Sequence, residues 1–231
     1  MLIKKIRGFK YPDVELVRWF FKHEIHKVKR KKVLEFGTHN GNNLSLFAGY
    51  GFRCWGVDLE GQNIQNARHN FSKIYRFKRA EFVRADMRDF AANAKGIKAG
   101  VFLLPNVINY ISKEDFKALL SNARANKLYA WGREKGGGEK FSHFFCRARS
   151  VRDHRYGLGR RLENGSFELS LDEFSGEKNL LCTAYEEWEL VELLRENLNL
   201  FDFELITSEN INVKNQVFIK DADIIIYGKI K

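Results

Sequence analysis

The sequence predicts a single α/β domain built on a mostly parallel β-sheet. Strand-like and helical segments alternate over roughly residues 30–132, and this alternation is typical of a parallel sheet with helices on its faces. The first strand runs into a glycine-containing loop, and the second ends in an acid. Near the C-terminus, residues 203–208 and 223–229 are strand-like with no helix between them, which predicts an antiparallel hairpin.

Residues 1–32 are predicted to form a helical lid. Apolar residues recur at helical spacing and predict one buried face, which consists of Val14, Val17, Phe21, Ile25 and Val28. A basic run at 27–32 supplies much of the formal charge of +11 and either contacts RNA or is a solvated helix end. His23 and His26 lie among lysines without carboxylates, so we expect surface residues and no metal site.

The most informative motif begins in the first strand. Residues 33–43 read Val-Leu-Glu-Phe-Gly-Thr-His-Asn-Gly-Asn-Asn, with Glu35 ahead of Gly37 and Gly41. The G-x-G-x-x-G pattern that places a pyrophosphate on a helix N-terminus is absent, and Glu35 has the wrong charge for a phosphate. A carboxylate here suits a cationic group. Asp58 ends the second strand, where an acid can accept hydrogen bonds from ribose hydroxyls.

The E-x-G-x-x-x-G pattern with Asp58 resembles motif I of the class I S-adenosylmethionine (SAM) methyltransferases. The resemblance covers residues 30–132 and 184–230. It implies a seven-stranded Rossmann-like sheet, mostly parallel with a C-terminal antiparallel hairpin and flanked by helices. It also implies SAM as cofactor, S-adenosylhomocysteine as product, and these cofactor-binding residues: Glu35, Gly37, Thr38, Asn40, Gly41, Asn43, Asp58, Leu59, Asp86, Met87 and Leu104.

The later elements follow the same order. Residues 81–87 are predicted to be a third strand ending in an acid and followed by a short helix; in the family such an acid bonds the adenine amino group and its apolar neighbour packs on the ring. Residues 100–106 are predicted to be the fourth strand. Ser112 begins a capping box for a helix to about Ala125. Residues 127–132 are predicted to be the fifth strand.

An insertion at 134–183 is predicted to be a flap that covers the acceptor. Residues 144–161 are rich in arginine, and residues 163–177 are acidic. Arginine suits two-pronged contacts with carboxylate or phosphate. Alternation would place Arg147 and Arg149 on one face with Phe145 and Val151, where they could clamp an anionic acceptor. Alternatively, the arginines pair with the acidic segment and fold the insertion. Insertions at this position cover the acceptor pocket in small-molecule members of the family.

Methyl transfer from a sulfonium is an in-line displacement, so alignment and exclusion of water can supply most of the catalysis. A general base matters only for a neutral hydroxyl or a protonated amine. The candidate catalytic residues are His154, His143 and Tyr156, whereas His39 is expected to shape the cofactor loop. Residues expected to contact the acceptor are Pro105, Asn106, Asn109, Tyr110, Arg147, Arg149, Arg152 and Arg155.

Several absences narrow the function. Residues 104–107 read Leu-Pro-Asn-Val and lack the Asn/Asp-Pro-Pro-aromatic motif of nucleic-acid amino-methyltransferases. The cysteines, at 54, 146 and 182, lie far from that segment and predict neither a nucleophile nor a disulfide or zinc site. No membrane span or signal peptide is visible, so a cytoplasmic protein is expected.

We therefore expect a SAM-dependent methyltransferase acting on an oxygen or nitrogen of a small, anionic metabolite or of a surface-sugar or phosphoryl modification. The alternatives are an RNA methyltransferase and a methyltransferase-fold binding protein without turnover. The acids at 35, 58 and 86 argue against the last, since a degenerate pocket has little reason to keep them. The oligomeric state is not assigned.

Overall fold

A computed structural model describes residues 2–133, 139–170 and 177–231. Its helices are α1 (Val14–Lys22), α2 (Asn42–Gly49), α3 (Gly61–His69), α4 (Met87–Asn93), α5 (Lys113–Ala125) and α6 (Glu187–Leu198). Its strands are β1 (Lys32–Phe36), β2 (Arg53–Asp58), β3 (Ala80–Arg84), β4 (Val101–Pro105), β5 (Gly132–Arg133), β6 (Glu139–Lys140), β7 (Ser142–Arg149), β8 (Arg160–Arg161), β9 (Phe167–Glu168), β10 (Leu181–Cys182), β11 (Phe201–Lys214) and β12 (Val217–Ile230).

The main sheet confirms the predicted fold class. It has seven strands in the order β3-β2-β1-β4-β7-β12-β11. The strands β3, β2, β1, β4 and β7 are parallel, and β12 is antiparallel to both of its neighbours. The closing hairpin is longer than predicted, since each of its strands has 14 residues. Two small antiparallel sheets, β10-β9-β8 and β5-β6, accompany the main sheet.

Helices cover both faces of the sheet, because the central strands are apolar on both sides. In β4, Phe102 and Leu104 pack with α4, α5 and α6, whereas Val101 and Leu103 pack with α1, α2 and α3. All four of these side chains are fully buried. Such continuous apolar strands are typical of parallel sheets buried on two faces.

The predicted fifth strand is wrong. The strand that pairs with β4 is β7, not residues 127–132, and Leu103 lies opposite Phe145. Residues 127–132 contribute only one isolated bridge, from Tyr129 to Ala99, and a short pairing of Gly132. Both segments are apolar and strand-like, so local pattern could not choose between them. Residues 142–149 of the predicted flap therefore belong to the main sheet.

The predicted apolar face of the N-terminal helix is also wrong. The buried residues of α1 are Leu16, Trp19 and Phe20, whereas Val14 is 66% and Phe21 is 43% exposed. The helix ends at Lys22, and Glu24 adopts a left-handed backbone with φ of 51°. The periodic pattern through Ile25 and Val28 therefore continues past the end of α1 into a separate short 3-10 turn.

Within the described residues, no helix combines the length and the apolar character that crossing a bilayer requires.

Candidate functional site

The candidate site lies where the parallel strands end. The connection from β1 runs over one face of the sheet through α2, and the connection into β4 runs over the other face through α4. Strands β1 and β4 are neighbours, so the crevice beyond their carboxyl ends is a topological switch point. Ligands of open α/β sheets bind at such crevices.

Glu35, in β1, is fully buried behind the glycine loop. Thr38 donates its hydroxyl hydrogen to one carboxylate oxygen and Asn43 donates its amide to the other, each at 2.8 Å. Burial raises the pKa of the Glu35 carboxyl to about 7, and the acids Asp58 and Asp13 add to the rise. Thr38 and Asn43 are both neutral, so the negative charge of Glu35 is poorly compensated and favours a cation near the loop.

Asp58 ends β2 beside this loop. Its carboxylate accepts hydrogen bonds from the backbone N–H groups of His39 (2.8 Å) and Glu60 (2.9 Å) and from Asn63 Nδ2 (3.1 Å). A carboxylate has about four lone-pair sites. Asp58 can therefore accept one further hydroxyl directly, and a second if the Asn63 amide moves aside. This is the capacity that recognition of a ribose diol requires.

Gly37 brings the loop after β1 against the loop after β4. Its φ is 69°, and a Cβ there would lie 2.7 Å from Val107 Cβ. A side chain at this position is excluded by both conformation and space. The two loops that border the crevice are thus in direct backbone-to-side-chain contact.

The N-terminal segment packs over the glycine loop. Asn40 donates its amide to the carbonyl oxygens of Arg7 (2.6 Å) and Phe9 (2.8 Å), and the Phe9 ring lies on the His39 ring with centroids 4.5 Å apart. Asn43 accepts the backbone N–H of Asp13 at 2.8 Å. The predicted cofactor residues Asn40 and Asn43 therefore also hold the lid, and His39 shapes the loop as expected.

The other predicted cofactor residues lie around the same crevice. Asp86 caps α4 and forms a bidentate pair with Arg88, which lowers the pKa of the Asp86 carboxyl. Met87 is nearly buried beside it, and Leu59 is 60% exposed after Asp58. The Leu104 side chain belongs to the core, so only its backbone faces the crevice edge.

Arg147, at the end of β7, joins the lid to the hairpin. Its Nη1 lies 2.6 Å from an Asp13 oxygen, and its Nη2 lies 2.6 Å from an Asp223 oxygen. Its side chain is 20% exposed. Arg147 and Phe145 share one face of β7, as the alternation predicts, although Arg147 already holds two carboxylates.

Four further arginines of residues 144–161 also have acidic partners. Arg149 is 4% exposed and contacts Glu177 at 2.8 Å, and Arg155 contacts Asp153 at 2.7 Å. Further pairs are Arg155 with Asp221 and Glu177, Arg152 with Glu187 and Glu209, and Arg160 with Glu168 across β8 and β9. Pairing with the acidic segment is confirmed for Arg149 and Arg155, which contact Glu177, and for Arg160, which contacts Glu168.

The loop after β4 supplies the next predicted contacts. Asn106 is exposed with φ of 54°. Asn109 is buried, and its side-chain oxygen accepts the backbone N–H of Arg149 at 2.8 Å, so this side chain ties the loop to β7. Tyr110 is 38% exposed and donates to Glu177 at 2.8 Å. Burial raises the pKa of Tyr110 to about 12.

His143 is a wrong prediction as a catalytic base. It pairs with Val101, the first residue of β4, and so lies at the edge of the sheet opposite the crevice. Burial lowers the pKa of His143 to about 4, but no substrate proton can be reached from there. His154 and Tyr156 follow β7 on the crevice side, and Tyr156 is 43% exposed.

His154 lies beside two acids. Ligand atoms of Asp153, His154 and Asp221 all lie within 4.8 Å of one another. The Arg155 guanidinium contacts both aspartates, at 2.7 and 3.1 Å, and so provides the positive charge that this cluster requires. We assign no metal site here.

Two residues of the site were not found from the sequence. Asp13 caps α1 and bonds Arg147, and Asp223 bonds Arg147 from β12. The Pro-Asp pair before a helix was an available signal for Asp13 as a cap. The signal for Asp223 was an acid at the start of an isoleucine-rich strand. Neither signal indicates that the acid would contact Arg147.

These residues fit SAM. The ligand carries an ammonium and a sulfonium, which suit the poorly compensated Glu35, and a ribose diol, which suits the spare acceptor capacity of Asp58. SAM carries no phosphate, in agreement with the acid in β1 behind the glycine loop. Phe9, Leu59 and Met87 provide apolar surface near the strand ends.

Comparisons with known proteins agree with this geometry. A family model described as a methyltransferase domain matches residues 33–126. The fold is similar to that of a SAM-dependent methyltransferase from Methanosarcina mazei, with 15% identity, coverage of 90% of this chain and 96% of the other, and a TM-score of 0.64. A comparison of the sequence with curated proteins finds no match.

Two further solved structures share the fold. A putative methyltransferase from Bacillus halodurans has 11% identity, coverage of 94% and 98%, and a TM-score of 0.61. A magnesium protoporphyrin IX methyltransferase from Synechocystis, solved with bound SAM, has 11% identity, coverage of 93% and 76%, and a TM-score of 0.54.

Proposed function

We propose that this chain, which carries a class I SAM-dependent methyltransferase domain, transfers the methyl group to an oxygen or nitrogen of a small acceptor. The observation that carries the proposal is the acid pair Glu35 and Asp58 at adjacent strand ends beneath an N-terminal lid. When bound, SAM supplies an electrophilic methyl group. The chain then has to bind the acceptor, orient it towards that methyl group and exclude water.

The small size of the acceptor is inferred from the lid. Asp13, in the lid, is bonded both to Asn43 of the cofactor loop and to Arg147 of β7. The lid therefore spans the crevice between the cofactor side and the acceptor side. A small acceptor can displace the Asp13 carboxylate from Arg147 while the lid stays bonded to Asn43, whereas a macromolecular acceptor would require both bonds to open.

For an anionic acceptor, Arg147 is the residue we assign. Its side chain is 20% exposed, whereas that of Arg149 is 4% exposed. A carboxylate or phosphate of the acceptor would take the place of the Asp13 carboxylate on the guanidinium, which suits planar two-pronged contacts. Asn106 lies beside Arg147, since its backbone N–H donates to the Arg147 carbonyl oxygen at 2.8 Å. Tyr110 and Arg155 both contact Glu177.

A base is required only for a neutral hydroxyl or a protonated amine. His154 and Tyr156 remain the proposed candidates, since both follow β7 on the crevice side. A phosphate or carboxylate oxygen would be methylated without one.

RNA is the less favoured acceptor. The basic run at 27–32 leads into the start of β1, at the edge opposite the crevice. Five of the arginines at 144–161 are paired with acids. The basic run and the arginine-rich segment suggested a path for RNA. They therefore do not form one free basic surface at the crevice edge of the sheet.

The test is formation of S-adenosylhomocysteine by the purified protein with SAM and a panel of phosphorylated and carboxylated metabolites. Arg147→Met should raise the acceptor KM about tenfold or more while SAM affinity is unchanged, because it removes a charge-assisted contact. Lys220→Met is the matched control, since Lys220 pairs with Glu209 outside the crevice. SAM binding without turnover on any acceptor would favour a non-catalytic protein.

A further inference from the structure

Each parallel strand of the main sheet has a cationic residue at its start or just before it. Lys32 and Arg53 are the first residues of β1 and β2 and lie opposite each other. Arg79 is one residue before β3, and its carbonyl accepts the backbone N–H of Cys54. Lys98 and Lys140 lie just before β4 and β7. Parallel strands begin at one edge, so these cations converge on the edge opposite the crevice.

A cavity of about 410 Å³ opens at this edge. Five cationic residues line it: Arg30, Lys32, Lys98, Lys127 and Lys140. Neither Asp nor Glu is among the described residues that line it. Lys32, Lys98, Lys127 and Lys140 place like charges around one cavity, where they repel each other, and a bound anion would relieve that repulsion.

Tyr129 supplies a second, independent observation. This residue lines the cavity and is fully buried, with its ring stacked 6.0 Å from that of Phe102. Its hydroxyl has no hydrogen-bond partner among the described residues. Burial raises the pKa of the Tyr129 hydroxyl, so it keeps its proton. A buried hydroxyl without a partner is costly, and an anionic oxygen in the cavity would accept its hydrogen.

Trp131 adds an aromatic surface at the rim. The indole is 37% exposed, and the Arg124 guanidinium lies 5.8 Å from the ring centroid. An aromatic surface beside a cationic cavity suits a ligand that carries a flat group next to its phosphates.

We propose that this cavity is a second ligand site, which binds a phosphate group. Lys98 and Lys127 supply charge, and Tyr129 donates a hydrogen bond. The site lies one strand length from the crevice: β4 has five residues, or about 16 Å at ~3.3 Å per residue. Phosphate binding is therefore compatible with a filled cofactor site and does not depend on the proposed reaction.

The phosphate can come from a free phosphorylated compound or from the backbone of an RNA strand. A free compound would use only the cavity. A strand would extend along the edge and also use Arg53 and Arg79, which lie outside the cavity. The two sources therefore predict different sets of sensitive residues.

The test measures binding of inorganic pyrophosphate and of a short oligouridylate to the full chain by calorimetry, at about 50 mM and 200 mM salt. The cavity variant is Lys98→Gln with Lys127→Gln, both exposed side chains. Tyr129→Phe keeps the buried ring and removes only the hydroxyl. The edge variant is Arg53→Gln with Arg79→Gln.

For a free compound, pyrophosphate binding should fall about tenfold or more in the cavity variant and severalfold in Tyr129→Phe, and stay unchanged in the edge variant. For RNA, oligouridylate binding should fall in both the cavity and edge variants, and the salt slope should decrease by about 0.7 per cation removed. The proposal is overturned if neither probe binds the wild-type chain, or if the cavity variant binds both probes as tightly as the wild type. Thermal unfolding without ligands shows that each variant is folded.

Discussion

Replacement of Glu35 by glutamine should stabilise the ligand-free protein at neutral and alkaline pH. Glutamine has nearly the same shape, can accept the Asn43 amide, and leaves the Thr38 hydroxyl free to rotate and accept. It removes the buried charge. The cost of that charge follows from the pKa of Glu35, which burial raises from 4.5 to about 7.

The sign follows from proton binding. As pH rises above 4.5, the carboxyl ionises first in the unfolded chain, while the folded state keeps its proton until about 7. The stability that the protonated group contributes is complete below pH 4.5 and is lost as pH rises through 7. At 1.36 kcal/mol per pH unit, the wild type loses about 3 kcal/mol over this window, and about 2.5 kcal/mol of that between pH 5 and 8.

The assay compares urea unfolding of the wild type and Glu35→Gln at pH 5 and pH 8 without SAM. The stability advantage of the variant should grow by about 2.5 kcal/mol between the two pH values, equivalent to a shift in melting temperature of about 5–10 °C for a chain of this size. Glu60→Gln, at an exposed position of the same loop region, should show no such growth.

An advantage of equal size at pH 5 and pH 8 would refute the reasoning, because the Glu35 carboxyl would then not be held in a poorly compensated, buried environment. Calorimetry measures the effect of the same substitution on SAM binding. The variant should bind SAM more weakly by about 1–2 kcal/mol, since a negative charge near the cationic ligand is lost.

Three further outcomes are expected. Asp58→Ala should weaken SAM binding about 100-fold, because hydrogen bonds to a charged group are worth about 1.5–3 kcal/mol each; unchanged affinity by calorimetry would contradict the cofactor assignment. Arg149→Ala should cost about 3 kcal/mol or more in urea unfolding, because it removes a buried guanidinium that contacts Glu177 and Cys182 and leaves a cavity in its place; a loss below about 1 kcal/mol would mean that the pair is not structural. Gly37→Ala should abolish SAM binding, because the new Cβ would lie 2.7 Å from Val107 Cβ; normal SAM affinity would show that the two loops move apart freely.

Part of the fold could be predicted because its signals are local. The Ser112 cap begins α5, where its hydroxyl accepts the N–H of Asp115, and the helix ends at Ala125 as predicted. The glycine loop after β1 and the acid at the end of β2 also occur where the motif placed them. Capping, turn conformation and strand ends depend on residues within a few positions of each other.

The fifth strand could not be predicted in this way. Residues 127–132 and β7 both have strand-like composition, and the choice depends on which segment pairs with β4. The assignment of α1 failed for a related reason: the helix ends before Glu24, which has a left-handed backbone, and the face that packs on Phe145 is the one with Trp19. Periodicity reports the spacing of apolar residues but not what packs against them.

The sequence by itself determined the sheet type, the cofactor loop and the acids at successive strand ends, because each depends on short-range pattern. Only the tertiary structure decided the roles of the arginines. Arg147 meets Asp13, 134 residues away, and Asp223, 76 residues away, so its charge is already shared by the lid and the hairpin. The convergence of cations at the opposite edge likewise exists only once the strands are parallel and adjacent, because charge adds up in space rather than along the chain.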